Sequence, residues 1–335
     1  MIRLLHAADF HLDSAFSALP PERAAERRQE QRFALQALSA LCRERGCDAV
    51  LLSGDLFDSA RIYRDTLDAL RRFCADCGAE VFIAAGKRDY LSPGSPYLTE
   101  AWPENIHIFP AQEISCVSVE RLHLNVYGAS FTAPEAPALL EGFRVSDPQA
   151  VNVMVLHGDT QPASPYNSVT SAQIAASGLD YLALGHIHAA GFVKAGKTLC
   201  AWPGCLMGRG FDECGQKGAL RVELDELKEA DFYRILTEPS NAITKQYQQL
   251  LATEGVNLVF NDEALHRLAQ ITEQMNTQND NIGARRLFTI MGALLEGLSF
   301  AANELSGQPV TITREYVDER LKDVLGNQDR SRYIL

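Results

Sequence analysis

"IRLLHAADFHLD", residues 2–13, begins as a short apolar run and ends on Asp9 and His11. A run of this length, rich in Ile and Leu and closed by polar residues, reads as a buried strand followed by a loop. The same grammar returns in "DAVLLSGDLFD" (48–58), "EVFIAAGKRD" (80–89), "VNVMVLHG" (151–158) and "DYLALGHIH" (180–188). Further β-prone runs are "LHLNVYGA" (122–129), "TLCAWPG" (198–204) and "GALRVEL" (218–224). Amphipathic segments around residues 21–45 and 64–77 separate the first three strands. That alternation predicts βαβ units and a largely buried mixed sheet, hence an α/β fold.

Chemistry gathers where the strands end. Asp9 and His11 follow the first, Asp55 and Asp58 the second, and Asp89 the third. His157 closes "VNVMVLH", and His186 and His188 follow "DYLALG". In α/β sheets ligands bind outside the carboxyl ends of strands, so groups distant in sequence can converge there. One Asp-x-His or one Gly-Asp alone is usually a surface pair or a turn; five such ends in this order are not. Carboxylates mixed with imidazoles suit Mn, Fe or Zn, whereas an all-cysteine set would indicate structural zinc. A carboxylate can bridge two ions, and ions about 3.5–4 Å apart can activate water and stabilise a departing oxygen in phosphoester hydrolysis. Gly54, Gly86, Gly158 and Gly185 beside these residues permit tight turns.

Composition narrows the setting. The 335 residues suffice for two domains, and 46% hydrophobic with 22% charged residues describes a globular chain. No stretch approaches 18 uninterrupted apolar residues, and "MIRLLHAADFHLD" lacks a signal-peptide pattern, so the expected address is the cytoplasm, with no membrane partner. The net charge of −12 weakens any expectation of broad nucleic-acid binding driven by phosphate neutralisation. Arg23, Arg27, Arg28 and Arg32 alternate with glutamates and predict a solvated helix face. Eight cysteines show no framework, and Cys74-x-x-Cys77, at the end of an amphipathic segment, reads as structural.

After "RVELDELKEADFYRILTEPSN" (221–241) the pattern becomes mostly helical, with apolar residues at three- and four-residue spacing in 242–255, 262–276 and 283–305. Two β-prone pieces, "VNLVF" and "PVTIT", interrupt it. The boundary falls near 222–230, giving domains 1–224 and 225–335.

The motifs "DFHLD", "GDLFD", "GKRDY", "LHG" and "GHIH", followed by "WPGCLMGRGFDE", resemble the calcineurin-like metallophosphoesterases, nearest the SbcD and YhaO-type DNA repair exonucleases. The resemblance covers residues 1–224. It implies a sandwich of mixed sheets flanked by helices, two divalent ions (Mn first, with Fe, Zn or Mg as alternatives), a nucleic-acid or other phosphodiester substrate, and an SbcC-like ATPase partner. Asp9, His11, Asp55 and His188 would hold one ion, and Asp55, His157 and His186 the second. Asp55, Arg88 and Asp89 fall on catalytic positions, with Arg88 as a phosphate clamp.

The third motif departs from the family's Gly-Asn-His-Asp. Lys87 stands where Asn would complete the second metal site, and Arg88 where His would assist the leaving group. An ammonium offers a cation no lone pair and repels it, so a weakened second site and impaired hydrolysis are expected. Arg88 cannot serve as a general acid near neutrality.

From about residue 221, "RVELDELKEADFYRILTEPSNAITKQYQQLLATEGV", "NIGARRLFTIMGALLE" and "DRSRYIL" are similar to the C-terminal part of HslU, the AAA+ partner of the HslV peptidase. The likeness implies a smaller, mostly helical domain, places Arg285 at a nucleotide-sensing position, and makes the tail ending Tyr333-Ile334-Leu335 a peptidase-docking segment. An HslU-like chain invites a search for a P-loop, and "GFVKAGKT" (191–198) satisfies the pattern by letter. A P-loop needs a strand before it and a helix after Lys-Thr; here β-prone "LCAWPG" follows, so the stretch reads as a hairpin and no ATP is expected.

Overall fold

The computed structural model describes residues 2–59, 61–148, 150–224, 228–238, 242–278, 285–300 and 309–322. The chain divides into two compact units, Met1–Asp225 and Glu226–Leu335.

The first unit begins β1 (Ile2–Ala7), α1 (Pro21–Glu44), β2 (Ala49–Leu52), α2 (Arg64–Asp76), β3 (Glu80–Ile83), α3 (Pro96–Thr99) and β4 (Ile106–Ile108). It continues with β5 (Ser115–Val119), β6 (Leu124–Gly128), β7 (Val151–His157), α4 (Ser171–Ser177), β8 (Tyr181–Gly185), β9 (Gly191–Ala195), β10 (Thr198–Trp202) and β11 (Leu220–Leu224). These strands form not one sheet but two, ordered β11-β1-β2-β3-β4 and β5-β6-β7-β8-β10-β9. The β1-β2-β3-β4 and β6-β7-β8-β10 neighbours pair in parallel, and β11, β5 and β9 add antiparallel edges.

Alternation along the strands builds the layers. Leu4, Ala49, Leu51 and Phe82 pack with Val153, Val155, Tyr181 and Ala183 between the sheets. Their neighbours Leu5, Val50, Leu52 and Val81 turn outward into a core shared with Leu35 and Leu38 of α1 and Leu70 and Phe73 of α2. On the opposite side Met154, Leu156, Leu182 and Leu184 pack against Ile174 of α4. Burial on both faces explains why these strands read as unbroken apolar runs. The mixed sheets flanked by helices are those of the calcineurin-like phosphoesterase fold.

Short elements escaped the sequence pattern. Strands β4 and β5 are brief and half-exposed, so they carry little periodicity. Helix α4 spans only seven residues, fixed by a capping box between Thr170 and Gln173. "GFVKAGKT" is strand, two-residue turn and strand: Ala195 faces Thr198, Gly196 takes φ +61°, and Lys197 bonds Asp180 at 2.9 Å. Cys74 and Cys77 are buried free thiols, with Cys77 Sγ donating to the Cys74 carbonyl at 3.1 Å.

The second unit contains α5 (Glu229–Thr237), α6 (Ile243–Thr253), β12 (Asn257–Phe260), α7 (Asp262–Gln278), α8 (Arg285–Phe300), β13 (Pro309–Ile312) and α9 (Arg314–Arg320). The β-prone pieces β12 and β13 pair in parallel, which requires the crossover that α7 and α8 supply. Phe232, Leu236, Leu268, Leu287, Met291, Leu294 and Val317 close a separate core.

Gly128 tests the packing between the sheets. A β-carbon there would overlap the buried Phe109 ring, reaching its Cζ at 2.6 Å. Gly128→Ala is expected to destabilise the first unit by about 1–3 kcal/mol, the usual cost of overpacking. Both tryptophans, Trp102 and Trp202, lie in this unit, so urea unfolding followed by their fluorescence checks it.

Candidate metal centre

Asp9 follows β1, Asp55 follows β2, the segment Gly86–Asp89 follows β3, His157 ends β7, and His186 and His188 follow β8. The carboxyl ends of both sheets thus meet at one edge. The backbone there is strained: Asp9, His11, Asp55 and His186 have φ of +52°, +45°, +51° and +86°. Each such conformation costs on the order of 1–3 kcal/mol and persists only where its surroundings enforce it. Here His11 N donates to the Asp55 carbonyl at 3.0 Å, and His186 N donates to both Asp9 oxygens at 3.1 and 3.0 Å. Gly86 is needed because a β-carbon would strike Asp55, reaching its backbone nitrogen at 2.6 Å.

The side chains present donor atoms to a common point. His11 Nε2 lies 3.1 Å from His188 Nε2, 4.0 Å from Asp9 Oδ1 and 3.9 Å from Asp55 Oδ2. His188 Nε2 is 3.8 Å from Asp9 Oδ1, and His157 Nε2 is 3.5 Å from Asp55 Oδ2. The far nitrogens are committed to acceptors: His11 Nδ1 to Asp58 at 2.9 Å, His188 Nδ1 to Glu213 at 2.6 Å, and His157 Nδ1 to the Ser53 carbonyl at 2.9 Å. Protons on Nδ1 leave the Nε2 lone pairs aimed inward, the arrangement that metal-ligating imidazoles adopt. Asp55 Oδ2 and His157 Nε2 are buried without a hydrogen-bond partner. Facing lone pairs and orphaned acceptors are costly unless a cation satisfies them, so the donor set fits divalent ions.

The electrostatics agree. Burial, reinforced by the charge of Asp55, pushes the Asp9 carboxyl well above its ordinary range. Burial also opposes ionisation of Asp55, yet His157, His11 and the Arg88 N–H hold its carboxyl below the usual value. Burial, with help from His157, lowers His186 to about 4, and burial lowers His188. Both imidazoles therefore stay neutral, as ligands must be. Two triads built on Asp9 carry ligand atoms within 4.8 Å of one another at this edge, Asp9–His11–His188 and Asp9–Asp55–His157, and a third, His188–Cys205–Glu213, adjoins them through His188. His186 belongs to none of them among the described residues, and its Nδ1 is buried without a partner.

The remaining predicted residues take other places. Asp89 accepts N–H groups from Asp55, Leu56, Phe57 and Gly86 and the hydroxyl of Tyr97, so its carboxylate positions the Asp55 loop and faces no open site. Arg88 donates its backbone N–H to Asp55 Oδ1 at 2.8 Å, and its side chain is exposed. Lys87 Nζ sits 4.5 Å above the Tyr166 ring. Arg285 opens α8, but its side chain and the tail ending Tyr333-Ile334-Leu335 lie outside the described residues.

Three residues support the ligands, of which Asp58 was among the strand-end residues read from the sequence and Glu213 and Arg209 were not. Asp58 orients His11, Glu213 orients His188, and Arg209 bridges the two carboxylates at 3.2 and 2.9 Å. Burial works against the charge of Glu213, but the Arg209 bonds hold its carboxyl far below the usual range. Their signal was present in "GDLFD" and "GRGFDE", where acidic residues recur just beyond the ligand motifs.

The family model for the calcineurin-like phosphoesterases matches residues 2–190. The chain belongs to that family. Curated relatives point elsewhere as well. The ATP-dependent protease ATPase subunit HslU of Treponema denticola is 58% identical over 144 residues, which is 43% of this chain and 29% of that protein. HslU of Oceanobacillus iheyensis and the ATPase subunit ClpY of Bacillus subtilis are 49% and 46% identical over the same length, 43% of this chain and 30% of each relative. The chain thus spans about three tenths of the length of these relatives. No helix among the described residues is long and apolar enough to cross a membrane.

Glu213→Gln keeps the shape of the side chain but weakens its hold on His188. It is expected to lower Mn affinity by about 10–100-fold, as loss of an outer-shell partner does, read by titration calorimetry. Unchanged affinity would remove Glu213 from the centre.

Proposed function

We propose that the first unit is a divalent-metal-dependent phosphodiester hydrolase of nuclease type, acting on DNA. The observation that carries this is the pair of buried, partnerless acceptors Asp55 Oδ2 and His157 Nε2 beside converging imidazoles, within a phosphoesterase fold. Asp9, His11, Asp55 and His188 would hold the first ion, with Asp9, Asp55 and His157 forming the weaker half, which His186 does not join. An oxygen and imidazole donor set without thiolate suits Mn, with Fe, Zn or Mg as alternatives. Divalent ions bound there supply Lewis-acid polarisation of the phosphoryl group and activation of water.

The chain's own residues do the positioning. Asp58 and Glu213, tied by Arg209, fix the imidazole planes of His11 and His188. Asp89 anchors the loop that presents Asp55. The exposed Arg88 guanidinium can clamp phosphate oxygens through its planar fork of donors. Similarity of the motifs to SbcD and YhaO-type exonucleases supports DNA as the substrate, an SbcC-like ATPase as partner and a cytoplasmic setting.

A second reading concerns the C-terminal unit. Similarity of its motifs to HslU supports a tail that engages an HslV-type peptidase, and the hairpin at 191–198, where a P-loop would need a helix, supports a role without nucleotide hydrolysis of its own. Both are open to direct test. Hydrolysis of bis-p-nitrophenyl phosphate with Mn should fall at least about 100-fold in Asp55→Ala; an undiminished rate would refute the hydrolase assignment. Deletion of residues 329–335 should abolish co-elution with HslV, and retained co-elution would end the peptidase reading.

A further inference from the structure

Lys87 brings a positive charge to a motif whose neighbours present lone pairs to a cation. The segment that carries it is clamped: Gly86 N donates to Asp89 Oδ1 at 2.7 Å, and Arg88 N donates to Asp55 Oδ1 at 2.8 Å. A side chain at 86 would strike Asp55 and approach His157 Nδ1 at 2.9 Å, so the backbone of this segment lies against two of the residues of the weaker half. From that anchor the Lys87 side chain reaches Tyr166, where Nζ stands 4.5 Å from the ring centroid. The same ring lies 5.2 Å from the His186 imidazole, which in turn lies 5.3 Å from His157. Lys87 is only partly exposed, and its charge acts on both Asp55 and His186.

The weaker half is also short of ligands. Asp9, Asp55 and His157 converge there, but His186 does not join them, and Lys87 cannot donate a lone pair while protonated. A second divalent ion would therefore meet three donors and a fixed positive charge. One divalent ion balances the charges of Asp9 and Asp55; Asp89, whose carboxylate accepts the Asp55 N–H at 3.1 Å, is a third buried carboxylate, and the ammonium adds the positive charge it calls for.

We propose that Lys87 takes the place of the second metal ion: the centre binds one divalent ion at Asp9–His11–Asp55–His188, and the Lys87 ammonium, seated on Tyr166, is the built-in second cation. The inference rests on the metal-dependent reading of the first unit. It assigns Lys87 a positive charge that an arginine could reproduce and an asparagine could not.

The test is a metal count on the full chain, equilibrated with Mn and freed of unbound ion. Elemental analysis gives occupancy, and electron paramagnetic resonance distinguishes an isolated ion from a spin-coupled pair. The wild-type chain should hold one Mn with an uncoupled spectrum. Lys87→Asn should hold two, with a coupled signal and at least a tenfold gain in affinity for the second ion, while Lys87→Arg should stay at one. Tryptophan fluorescence confirms that both variants fold. Two ions in the wild type, two in Lys87→Arg, or one in Lys87→Asn would overturn the role of Lys87. No ion in the wild type would instead overturn the metal-dependent reading beneath it.

Discussion

Two carboxylates, Asp9 and Asp55, sit side by side with no exposure to solvent, facing three imidazoles whose lone pairs point inward. Taking anions out of water is expensive unless they are paired, and the amides around Asp9 and Asp55 satisfy only part of the demand. Much else in the first unit answers to this constraint. Strained left-handed residues are held there, glycine is required where the Gly86 segment presses on Asp55, and Asp58, Glu213 and Arg209 hold the imidazoles in register. A cation completes an arrangement that is otherwise electrostatically open.

The sandwich makes the convergence possible. Parallel strands in each sheet send their carboxyl ends to the same edge, so residues nearly 180 positions apart, such as His11 and His188, come within hydrogen-bonding distance. The apolar layers reach this edge: Phe10, Leu12, Leu56 and Phe57, which flank Asp9, His11 and Asp55 in the chain, belong to the core shared with α1 and α2, and the Phe131 ring packs edge-on against His157. Ser53 shows the link: its hydroxyl is tied to His6 and to the Ala183 carbonyl between the sheets, and its own carbonyl holds His157.

Ligand positions were readable from the sequence because each one ends a strand, where a polar side chain after an apolar run stands out. Asp9, His11, Asp55, His157 and His188 are brought together for that reason. The division of the strands into two sheets was not readable from the strand pattern, since a run buried on both faces looks the same in one sheet or two; only the resemblance of the motifs implied it. Asp89 shows a different limit: its place after β3 suggested chemistry, but five hydrogen bonds to its carboxylate make it a structural anchor, and such partners are invisible in a motif. The orienting roles of Glu213 and Arg209 escaped notice because they act through His188, 25 and 21 residues away. In the reverse direction, "GFVKAGKT" matched a nucleotide-binding pattern by letter, and the hairpin between β9 and β10 shows that backbone context, not residue identity, decides that motif.

A cation held by the Asp9–Asp55 cluster must stabilise the fold, and stability measures that without reference to turnover. Urea unfolding of the first unit, followed by tryptophan fluorescence at increasing Mn concentration, should show stabilisation that grows with the logarithm of free Mn. It should reach about 2.7 kcal/mol at a hundred times the dissociation constant and vanish with a chelator. An unfolding curve that stays the same at every Mn concentration would rule out a cation site at Asp9 and Asp55.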